Sequence, residues 1–597
     1  MRYHSAVHPA EPEVESVSRK TPGRATHGER LPGAAGSLAL VALAFAGAAI
    51  VLAGPLVNYT HLCSAIYAGD SRLILWTLAW DSHAVLHRLP LFQANVFYPA
   101  PDGLAYNEHL FGLALFFLPL YAFTRNAVLA YNVLWLASWP LNALAGYALA
   151  RHYVRDRLAA LVGGLVYAFS FFRMLHGHGH LSLAWTFWLP LSLLALERWY
   201  RRPGWPRLAW LLVVVALQVL ANWYLAVMVL LATVLFLACR LLFSRAEDSD
   251  SEPGPGRPVT RRVVQGVAAV VVLFSIVWPF ARHYRGLEQA ATSEAARYSA
   301  DVAAYLVPPQ NTWLGRQLMA AGFSGPRWIW GETTMYVGVV ALLFAAAGVA
   351  ALVLPKRHRR FPAFSRPAMV FFPLLGLVAF ALSLGPRASH VPDAWMPFSW
   401  FAHVPGLGGL RAPARFALLV VLSMSVLCAA GARWLHQRLP FAGRLITLLL
   451  VPLMLSEWYV VAFPGGKPRP SPIPEIYRSL AALPARAIVS LPLANAADWT
   501  READYLYYST AHWHPIVNGF GRTEPPDHYW IAGRMAAFAG PNSARTMRQF
   551  GVDYVVLHAD RLPEGPVMLG EAMENRADFR LVRREGEIYL FEVIRDR

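Results

Sequence analysis

Long apolar runs dominate this sequence, and they restrict the folds open to it more than any other feature. A helix that crosses a membrane needs about 20 apolar residues, and many segments have that character. Only 15% of the 597 residues are charged, whereas soluble proteins carry about 25%. The chain is therefore predicted to be a mainly α-helical, polytopic membrane protein. The predicted spans are 36–57, 127–150, 158–173, 182–198, 207–221, 223–243, 262–280, 334–354, 367–384, 413–434 and 445–463, eleven in all.

Basic connections between the predicted spans indicate how the chain is oriented. Cytoplasmic loops are enriched in Lys and Arg, and eleven spans place every arginine-rich connection in the cytoplasm, with the N-terminus inside and the C-terminal region outside. The apolar segment 109–124 is short and contains Pro119. Counting it as a span would move the later arginines outside, so we expect an interfacial or re-entrant helix there. The expected location is the inner (plasma) membrane.

The chain divides into three predicted regions. Residues 1–35 are polar and rich in Pro, Gly and Arg, which predicts a disordered cytoplasmic tail. Residues 36–463 form the predicted transmembrane domain, with a long first external loop at 58–126. Residues 464–597 change in character and predict a small extracytoplasmic α/β domain. Its predicted elements are a helix at 474–483, strands in "AIVSLPL" and "VDYVVLHAD", and a hairpin that turns at Glu585-Gly586.

The net charge of +17 fits basic loops that face anionic lipid. No basic stripe stands in a soluble region, so nucleic acid is not an expected partner. The three cysteines, Cys63, Cys239 and Cys428, lie far apart. Their spacing predicts neither a disulfide framework nor a zinc site.

The segment "AGDSRLILWTLAWDSHAVLH", residues 68–87, places ionisable groups directly after the first predicted span. Its mixture of apolar and polar residues predicts an amphipathic helix that lies on the membrane, with its tryptophans at the level of the lipid headgroups. Asp81 is three helical turns from Asp70, and a solvated helix face is the expected place for it.

The order of these features resembles the C-type (GT-C) membrane glycosyltransferases, and most closely their uncharacterised bacterial multi-pass members. The shared features are an Asp just after the first span, a long first external loop with flat helices, about eleven spans and a C-terminal external domain. The resemblance covers nearly the whole chain. It is carried by Gly69-Asp70, Trp76, Trp80, His83, "LFQANVFYPAPDGLAYNEHLFG" (91–112), "LRAPARF" (410–416) and "RQFGVDYVVLH" (548–558).

The resemblance implies a catalytic role for acids of the first external loop, as a base or a metal ligand. Asp70 occupies the first position, and Glu108 in "YNEH" is the candidate second acid. Each has a purely structural alternative: Asp70 could cap the helix that starts at Ser71, and Glu108 could complement the dipole of the helix at 109–124. A divalent metal bound by these two acids stays open, because "HGHGH" (176–180) stands where oligosaccharyltransferases carry a further acidic motif.

Histidines and arginines supply the candidate substrate-binding residues. The histidines of "HGHGH" could bind a metal, form hydrogen bonds with a substrate or belong to an ordinary loop. Arginine binds phosphate through two parallel hydrogen bonds, and the arginines at 411 and 415 stand at the predicted external end of a span. Ordinary contact with the membrane interface is the alternative for them. The candidates are His83, His176, His178, His180, Arg173, Arg411 and Arg415.

The implied activity is inverting transfer of a sugar from a polyprenyl-phosphate donor to an extracytoplasmic acceptor, which would be an envelope glycan, a lipid or a protein. Such a reaction needs a base for the acceptor hydroxyl and cations for the departing lipid phosphate. The expected partners are this lipid-linked sugar, the acceptor and membrane lipid. The alternative is a non-catalytic protein of the same fold that acts in polysaccharide assembly or lipid handling. A transporter is less favoured, because no charge pair inside the spans and no inverted repeat can be recognised from the sequence.

Overall fold

The structure is a computed structural model that describes residues 34–177, 179–243, 257–287, 292–323, 333–353, 364–386, 393–404, 407–461, 466–493, 500–561 and 565–595. His178 and residues 1–33 of the predicted tail lie outside these ranges. The helices before residue 462 are α1 (Ala34–Leu52), α2 (Asp70–His87), α3 (Phe111–Thr124), α4 (Ala127–Val154), α5 (Arg157–Phe169), α6 (Phe171–Gly177), α7 (Leu181–Ala184), α8 (Trp188–Arg201), α9 (Trp205–Ala221), α10 (Trp223–Phe243), α11 (Arg257–Ala281), α12 (Thr292–Arg297), α13 (Trp313–Ala320), α14 (Val339–Val353), α15 (Arg366–Ser383), α16 (Pro397–Ala402), α17 (Ala417–Arg438) and α18 (Ala442–Trp458).

A helix forms at each of the eleven predicted spans, but these helices differ in length. Among the described residues, six helical segments are long and apolar enough to cross a membrane, and four apolar helices are shorter. The chain is thus a membrane protein with several spanning helices, and the number of spans stays a prediction. The six long segments are Ala127–Val154, Arg157–Gly177, Trp223–Phe243, Val259–Tyr284, Arg366–Ser383 and Pro413–Arg438.

Helix α17 is the centre of the bundle and packs against α4, α5, α14 and α15. Its crossing with α14 is so close that only glycine fits at two positions. A Cβ atom on Gly431 would lie 1.9 Å from the carbonyl oxygen of Phe344, and one on Gly348 would lie 2.1 Å from that of Leu427. Small residues let helix backbones approach each other in this way inside a membrane.

Two predicted apolar segments depart from a simple span. The prediction of one span over 182–198 is wrong in detail, because the chain breaks between α7 and α8 at residues 185–187. Helix α3 contains 14 residues, which corresponds to about 21 Å at 1.5 Å per residue and is shorter than the roughly 30 Å hydrocarbon core. Helix α8, in a predicted span, also has 14 residues, so the expectation that 109–124 does not cross stays a prediction.

Helix α2 is covered by protein on the sides that carry its tryptophans. It packs between α3 and the C-terminal region, and Trp76 and Trp80 are buried in protein. Their indole nitrogens donate to Asn95 Oδ1 (3.2 Å) and to the carbonyl oxygen of Leu91 (2.7 Å). The prediction that these tryptophans lie at the lipid headgroups is therefore wrong, since a helix between two protein layers shows the same mixed pattern.

The C-terminal residues form a sheet flanked by helices. Two strands, β1 (Ala65–Ile66) and β2 (Arg469–Pro470), pair with each other and tie this region to the end of the first span. The four-stranded sheet has the order β3-β4-β6-β5, with β3 parallel to β4 and the other pairs antiparallel. The hairpin turns at Gly586, as predicted. The elements are β3 (Ile488–Leu491), β4 (Tyr554–His558), β5 (Phe579–Glu585), β6 (Ile588–Val593), α19 (Glu475–Leu480), α20 (Thr500–Ser509), α21 (His528–Ala536), α22 (Pro541–Gln549) and α23 (Gly565–Glu574).

The segment 58–126, for which we keep its predicted name of first external loop, is joined to this sheet through the backbone. Residues 515–518 bind β3 on one side, where the backbone N–H of Val517 donates to the carbonyl oxygen of Ile488 (2.9 Å). On the other side they bind loop residues 95–98. The backbone N–H of Phe97 donates to the carbonyl oxygen of Asn518 (3.1 Å), and the backbone N–H of Tyr98 donates to that of Ile516 (3.0 Å). The loop and the C-terminal region therefore fold as one unit.

A charged bridge makes the same connection through side chains. Arg72 on α2 forms an ion pair with Asp504 on α20, and Arg561 binds the other carboxylate oxygen at 3.3 Å. The three side chains are mostly buried, with exposures of 13 to 20%. Charge-assisted hydrogen bonds of this kind contribute about 1.5–3 kcal/mol each.

We predict that Asp504→Ala will lower the free energy of unfolding by about 1.5–3 kcal/mol or more, because two mostly buried guanidinium groups lose their carboxylate. Thermal unfolding and trypsin sensitivity of the purified protein measure this. Glu592→Ala is the matched control, since it removes the carboxylate from the more exposed pair with Arg580 and such pairs contribute little. Equal effects of the two variants would contradict the role of Asp504 in docking.

The topology can be tested with a thiol reagent that does not cross membranes. Cys63 is exposed and lies in the predicted external loop, so it should react in intact cells. An Arg157→Cys variant in a Cys63→Ser background should react only after permeabilisation, because exposed Arg157 lies in a predicted cytoplasmic connection. The reverse pattern would show that the predicted orientation is inverted.

Candidate functional site

Asp70 stands at the first position of α2, directly after an unusual glycine. Gly69 has φ +68° and ψ −126°, a conformation open to glycine at little cost. The side chain of Asp70 does not cap α2: the N-cap residue is Gly69, with no side-chain cap hydrogen bond. Instead, Nε2 of His180 lies 3.0 Å from Asp70 Oδ2. The capping alternative for Asp70 is therefore wrong, and its carboxylate is turned towards the histidine loop.

The loop after α6 brings His180 to Asp70. The hydroxyl of Ser71 donates to the carbonyl oxygen of Gly179 (3.2 Å), and the indole of Trp135 donates to that of Gly177. His176 points elsewhere, because it is buried in contact with Phe172. Of the predicted histidine trio, His180 reaches the acid, His176 does not, and His178 lies outside the described residues.

Glu108 lies between the first-loop segment and α3. The amide nitrogen of Asn222 donates to its Oε2 at 2.9 Å. Asn222 occupies the break between α9 and α10, where its own Oδ1 also accepts from the backbone N–H of Leu225 (3.3 Å). The interruption in the apolar run at "LANWYL" was a signal for this polar contact, although the sequence does not show which acid it meets.

Arg411 and Arg415 meet at the start of α17, around Tyr224. The hydroxyl of Tyr224 accepts from the backbone N–H groups of Arg411 (2.9 Å) and Ala412 (3.2 Å). The Arg415 guanidinium lies over the Tyr224 ring, 4.4 Å from its centre. Arg411 Nη1 lies 3.3 Å from the carboxylate of Glu294, and both side chains are 37% exposed. Tyr224 thus holds both arginines at one end of the bundle.

A third arginine comes from the C-terminal region and could not be identified from the sequence. The backbone N–H of Arg522 donates to the carbonyl oxygen of Tyr106 (2.9 Å). Its guanidinium lies against Gly409, where an added Cβ would meet both terminal nitrogens at 2.9 Å. Arg522 therefore joins the first external loop to the segment that carries Arg411.

The two acids experience these charges differently. Burial raises the pKa of the Asp70 carboxyl, but His180, Arg415 and Arg411 outweigh burial and hold that pKa below its ordinary value. Burial also raises the pKa of Glu108, and here Arg415, Arg411, Arg522 and His180 do not overcome it, so the pKa is above its ordinary value. Paired carboxyl groups with pKa values moved in opposite directions are suited to different roles in catalysis.

Two further candidates lie away from this cluster. His83 stacks on Trp513, with ring centres 4.4 Å apart, and it is 13 positions along α2 from Asp70, about 20 Å along the helix axis. Arg173 is buried and donates to the carbonyl oxygens of Leu183 and Ala184, both at 2.8 Å. Its guanidinium satisfies the carbonyls where the chain breaks after α7. Neither side chain is placed to bind substrate beside Asp70.

The described residues contain no group of three or more His, Cys, Asp or Glu side chains that could hold a metal ion. Asp70 and Glu108 are bonded to His180 and Asn222, and no third acidic ligand completes a set. Among the described residues these side chains complete no ligand set, so a divalent metal stays an expectation from the sequence and no step of the chemistry below is assigned to one.

Comparison with known proteins identifies the family of this chain and structures of similar fold. A family profile described as "Domain of unknown function (DUF6311)" matches residues 78–455. No functionally curated protein matches the chain. Among solved structures, the chain is similar to the arabinofuranosyltransferase AftD from Mycobacteria, with a TM-score of 0.58 at 14% identity, over 94% of this chain and 40% of that one.

Two other solved structures align less closely. The oligosaccharyltransferase of Archaeoglobus fulgidus in the apo form has a TM-score of 0.44 at 13% identity, over 87% of this chain and 69% of that one. ArnT from Cupriavidus metallidurans bound to undecaprenyl phosphate has a TM-score of 0.38 at 10% identity, over 94% of this chain and 98% of that one. The likeness to AftD shows a shared fold, and this chain spans 40% of the length of that protein.

Asp81 does not occupy a solvated helix face, contrary to the expectation from its spacing. Its side chain is fully buried, and neither carboxyl oxygen has a well-formed hydrogen bond. Burial raises the pKa of Asp81 well above its ordinary value, and the nearby backbone of Leu110 opposes this only weakly. The carboxyl is therefore stabilised in its neutral form.

We predict that Asp81 makes the protein less stable as pH rises. A carboxyl with a raised pKa in the folded state contributes fully below its unfolded pKa, and that contribution is lost as pH rises through the folded pKa. Asp81→Asn stays neutral, so its melting temperature should fall less than that of the wild type between mildly acidic and alkaline pH. The exposed Asp560→Asn is the control, and parallel pH profiles for wild type and Asp81→Asn would rule out a buried titrating group.

Proposed function

The chain belongs to the family described as Domain of unknown function (DUF6311), and we propose that it is a membrane glycosyltransferase. The proposed reaction moves a sugar from a polyprenyl-phosphate donor to an extracytoplasmic acceptor, which is a cell-envelope glycan, a lipid or a protein. The cluster around Asp70 and Glu108 is the proposed active site. Its proposed location is the extracytoplasmic face of the inner membrane, where the first external loop and the C-terminal region meet.

One arrangement carries this proposal: Asp70, 3.0 Å from His180, and Glu108, 2.9 Å from Asn222, lie within the influence of the same cations, Arg411 and Arg415. Transfer from a phosphate-linked sugar forms a bond between the acceptor oxygen and the sugar's anomeric carbon. The bond from that carbon to the phosphate oxygen breaks, and the lipid phosphate leaves with the electron pair. A base removes the acceptor proton, and cations stabilise the leaving phosphate. The cluster contains groups for both tasks.

The pKa values suggest how the two acids divide the work. A base is most effective when its pKa approaches the working pH, and burial moves Glu108 in that direction. We therefore assign proton removal to Glu108, although the sequence alone favoured Asp70. Asp70 stays ionised beside His180, and its fixed negative charge can stabilise positive charge that develops on the sugar ring.

The arginines have a geometry suited to phosphate. Arg415 is buried, and its guanidinium stacks on the ring of Tyr224. The backbone N–H of Arg411 donates to the hydroxyl of Tyr224, which fixes the position of that residue. They stand at the start of α17, where an apolar lipid tail could lie along the bundle while its phosphate faces the guanidinium groups. The resemblance of the fold to AftD supports the general class of reaction.

A non-catalytic role is the second candidate, and the hydrogen bonds favour it. Asp70 is bonded to His180, Glu108 to Asn222, and Arg411 to Glu294. A cluster of this kind could serve only to hold the loop, the C-terminal region and the bundle together. The two candidates differ in what happens when each acid is replaced by its amide.

We predict that Glu108→Gln and Asp70→Asn will each fold normally but lose about a hundredfold or more of transfer activity. Both amides keep an oxygen that can accept from Asn222 or His180, and Gly69 rather than Asp70 occupies the N-cap of α2. The assay follows radiolabelled sugar from polyprenyl-phosphate donors into a membrane acceptor extract. Glu475→Gln, which changes an exposed acid of α19, is the matched control.

The pH profile decides which acid is the base. With Glu108 as base, activity should fall on acidification with an apparent pKa above 4.5, the ordinary value for glutamate. With Asp70 as base, the fall should occur below 3.8. Full activity in both amide variants would exclude the catalytic proposal and leave the structural one.

Arginine replacement tests the donor site. We predict that Arg411→Ala will weaken binding of the polyprenyl-phosphate donor at least about tenfold, because a charge-assisted hydrogen bond to phosphate contributes roughly 1.5–3 kcal/mol. Binding of the donor to purified protein in lipid nanodiscs measures the loss. Arg576→Ala, at an exposed position of the C-terminal region, should bind as the wild type does, and unchanged binding by Arg411→Ala would remove that residue from the donor site.

A further inference from the structure

A cleft of about 630 Å³ separates the first external loop from α21. Tyr98 and Tyr106 line it on the loop side, and His528 and Trp530 line it on the other. Small-molecule sites usually have volumes of about 300–1,000 Å³, with mostly aromatic and apolar walls and a few polar groups. This feature, which we call the aromatic cleft, has that size and composition.

The chemistry of the walls narrows the class of ligand. None of the described residues that line the cleft is a lysine or an arginine, and Arg534, which contacts the cleft residue Trp530, has its guanidinium stacked on the tryptophan ring. Asp527 provides a carboxylate at the mouth, where it forms no side-chain cap on α21. Flat aromatic faces next to hydrogen-bond acceptors fit a sugar ring, because its C–H face packs on an aromatic ring and its hydroxyls bind carboxylate and phenol oxygens.

One wall of the cleft has an unusual backbone conformation at Phe97. Phe97 has φ +59°, a left-handed conformation that is an outlier for a bulky residue. Its ring occupies the space beside Gly519, where an added Cβ would lie 2.1 Å from it. Backbone strain of this kind persists where the surroundings impose it and is concentrated at functional sites.

The ring of Trp530 is fixed as well. Arg534 stacks on it at 4.5 Å from the ring centre, and Phe550 contacts it edge-on at 6.2 Å. The side chain is nevertheless 49% exposed. A rigid, exposed aromatic ring offers contact area without losing much conformational freedom on binding.

The cleft and the proposed active site share one chain segment. Tyr106 lines the cleft, and its carbonyl oxygen accepts from the backbone N–H of Arg522. Glu108 follows two residues later, after an extended Asn107, so its backbone lies about 7 Å further along the chain. This short separation relates the cleft to the acid that is proposed as the base.

We propose that the aromatic cleft binds the acceptor, and that the acceptor is an uncharged saccharide chain. This inference rests on the proposed function. It narrows the acceptor to a glycan or a glycosylated molecule, whose sugar residues next to the reacting hydroxyl lie between Tyr98 and Trp530.

Calorimetry of the full-length protein in nanodiscs, without donor, tests the cleft directly. The probes are short uncharged oligosaccharides of arabinose, galactose, mannose or glucose, each added alone, and an uncharged peptide of similar size. We expect at least one oligosaccharide to bind. Trp530→Ala and Tyr98→Ala should each weaken that binding at least about tenfold, as truncation of an aromatic anchor does.

Control variants separate binding from folding. Trp205→Ala removes an equally exposed tryptophan from the start of α9 and should leave binding unchanged. Trp530→Phe keeps a ring and should keep most of the affinity. Absence of binding by every oligosaccharide, binding that is insensitive to the cleft variants, or peptide binding with the same dependence on Trp530 would each overturn the proposal.

The failure of this inference can be told apart from failure of the proposed function. If saccharide binding depends on Trp530 while the amide variants of Asp70 and Glu108 change no transfer activity, the cleft stands and the catalytic proposal fails. If transfer depends on those acids while Trp530→Ala leaves the acceptor KM unchanged, the enzyme stands and the cleft is not its acceptor site.

Discussion

The docking of α2 against the C-terminal region is the interaction on which the rest of this structure depends. Asn95 lies at its centre: its Oδ1 accepts from Trp76 on α2, and its amide nitrogen donates to Ser509 on α20 (3.2 Å) and to the carbonyl oxygen of His514 (3.2 Å). The ion pair of Arg72 with Asp504 lies one residue beyond Ser71, whose hydroxyl holds the histidine loop. Fixing α2 therefore fixes Asp70 and brings His180 to it.

The same docking determines the electrostatics of the proposed site. Arg411 and Arg415 come from the bundle, Arg522 comes from the C-terminal region, and each acid comes from the first external loop. These acids and these cations therefore come together where the three parts meet. There burial outweighs the cations at Glu108 and moves its pKa upward, whereas the cations outweigh burial at Asp70 and move its pKa downward. A site assembled in this way is sensitive to domain docking as well as to its own residues.

Much of this architecture could be predicted from local sequence patterns. Apolar runs and alternating strands depend on residues close in sequence, so the helices of the bundle and the strands β3 to β6 fell where expected. Acids and arginines at the ends of predicted elements were also recognisable, and Asp70, Glu108, His180, Arg411 and Arg415 share one electrostatic environment. Asn222 and Arg522 were not predicted, because their importance comes from contacts with residues more than a hundred positions away.

The errors in α2 have a common physical cause. A helix with tryptophans, aliphatic residues and scattered polar groups looks the same whether its apolar side meets lipid or protein, because both environments exclude water. The pattern therefore predicts a solvated face for Asp81 and a substrate-binding role for His83, although Asp81 is buried and His83 stacks on Trp513. What the periodicity could not show was that a folded region more than four hundred residues later in the chain covers this helix.

The position of α2 also suggests why donor and acceptor would approach from different sides. The arginines start α17, a helix at the centre of an apolar bundle, whereas the aromatic cleft lies between the first external loop and α21 and is lined without cations. A lipid phosphate is attracted by the first environment and a neutral sugar chain by the second. Asp70, at the N-terminus of α2, and Glu108, just before α3, stand where the loop connects these two environments. If the charged leaving group and the uncharged nucleophile bind in separate environments, the arginines can stabilise the phosphate without also binding the acceptor.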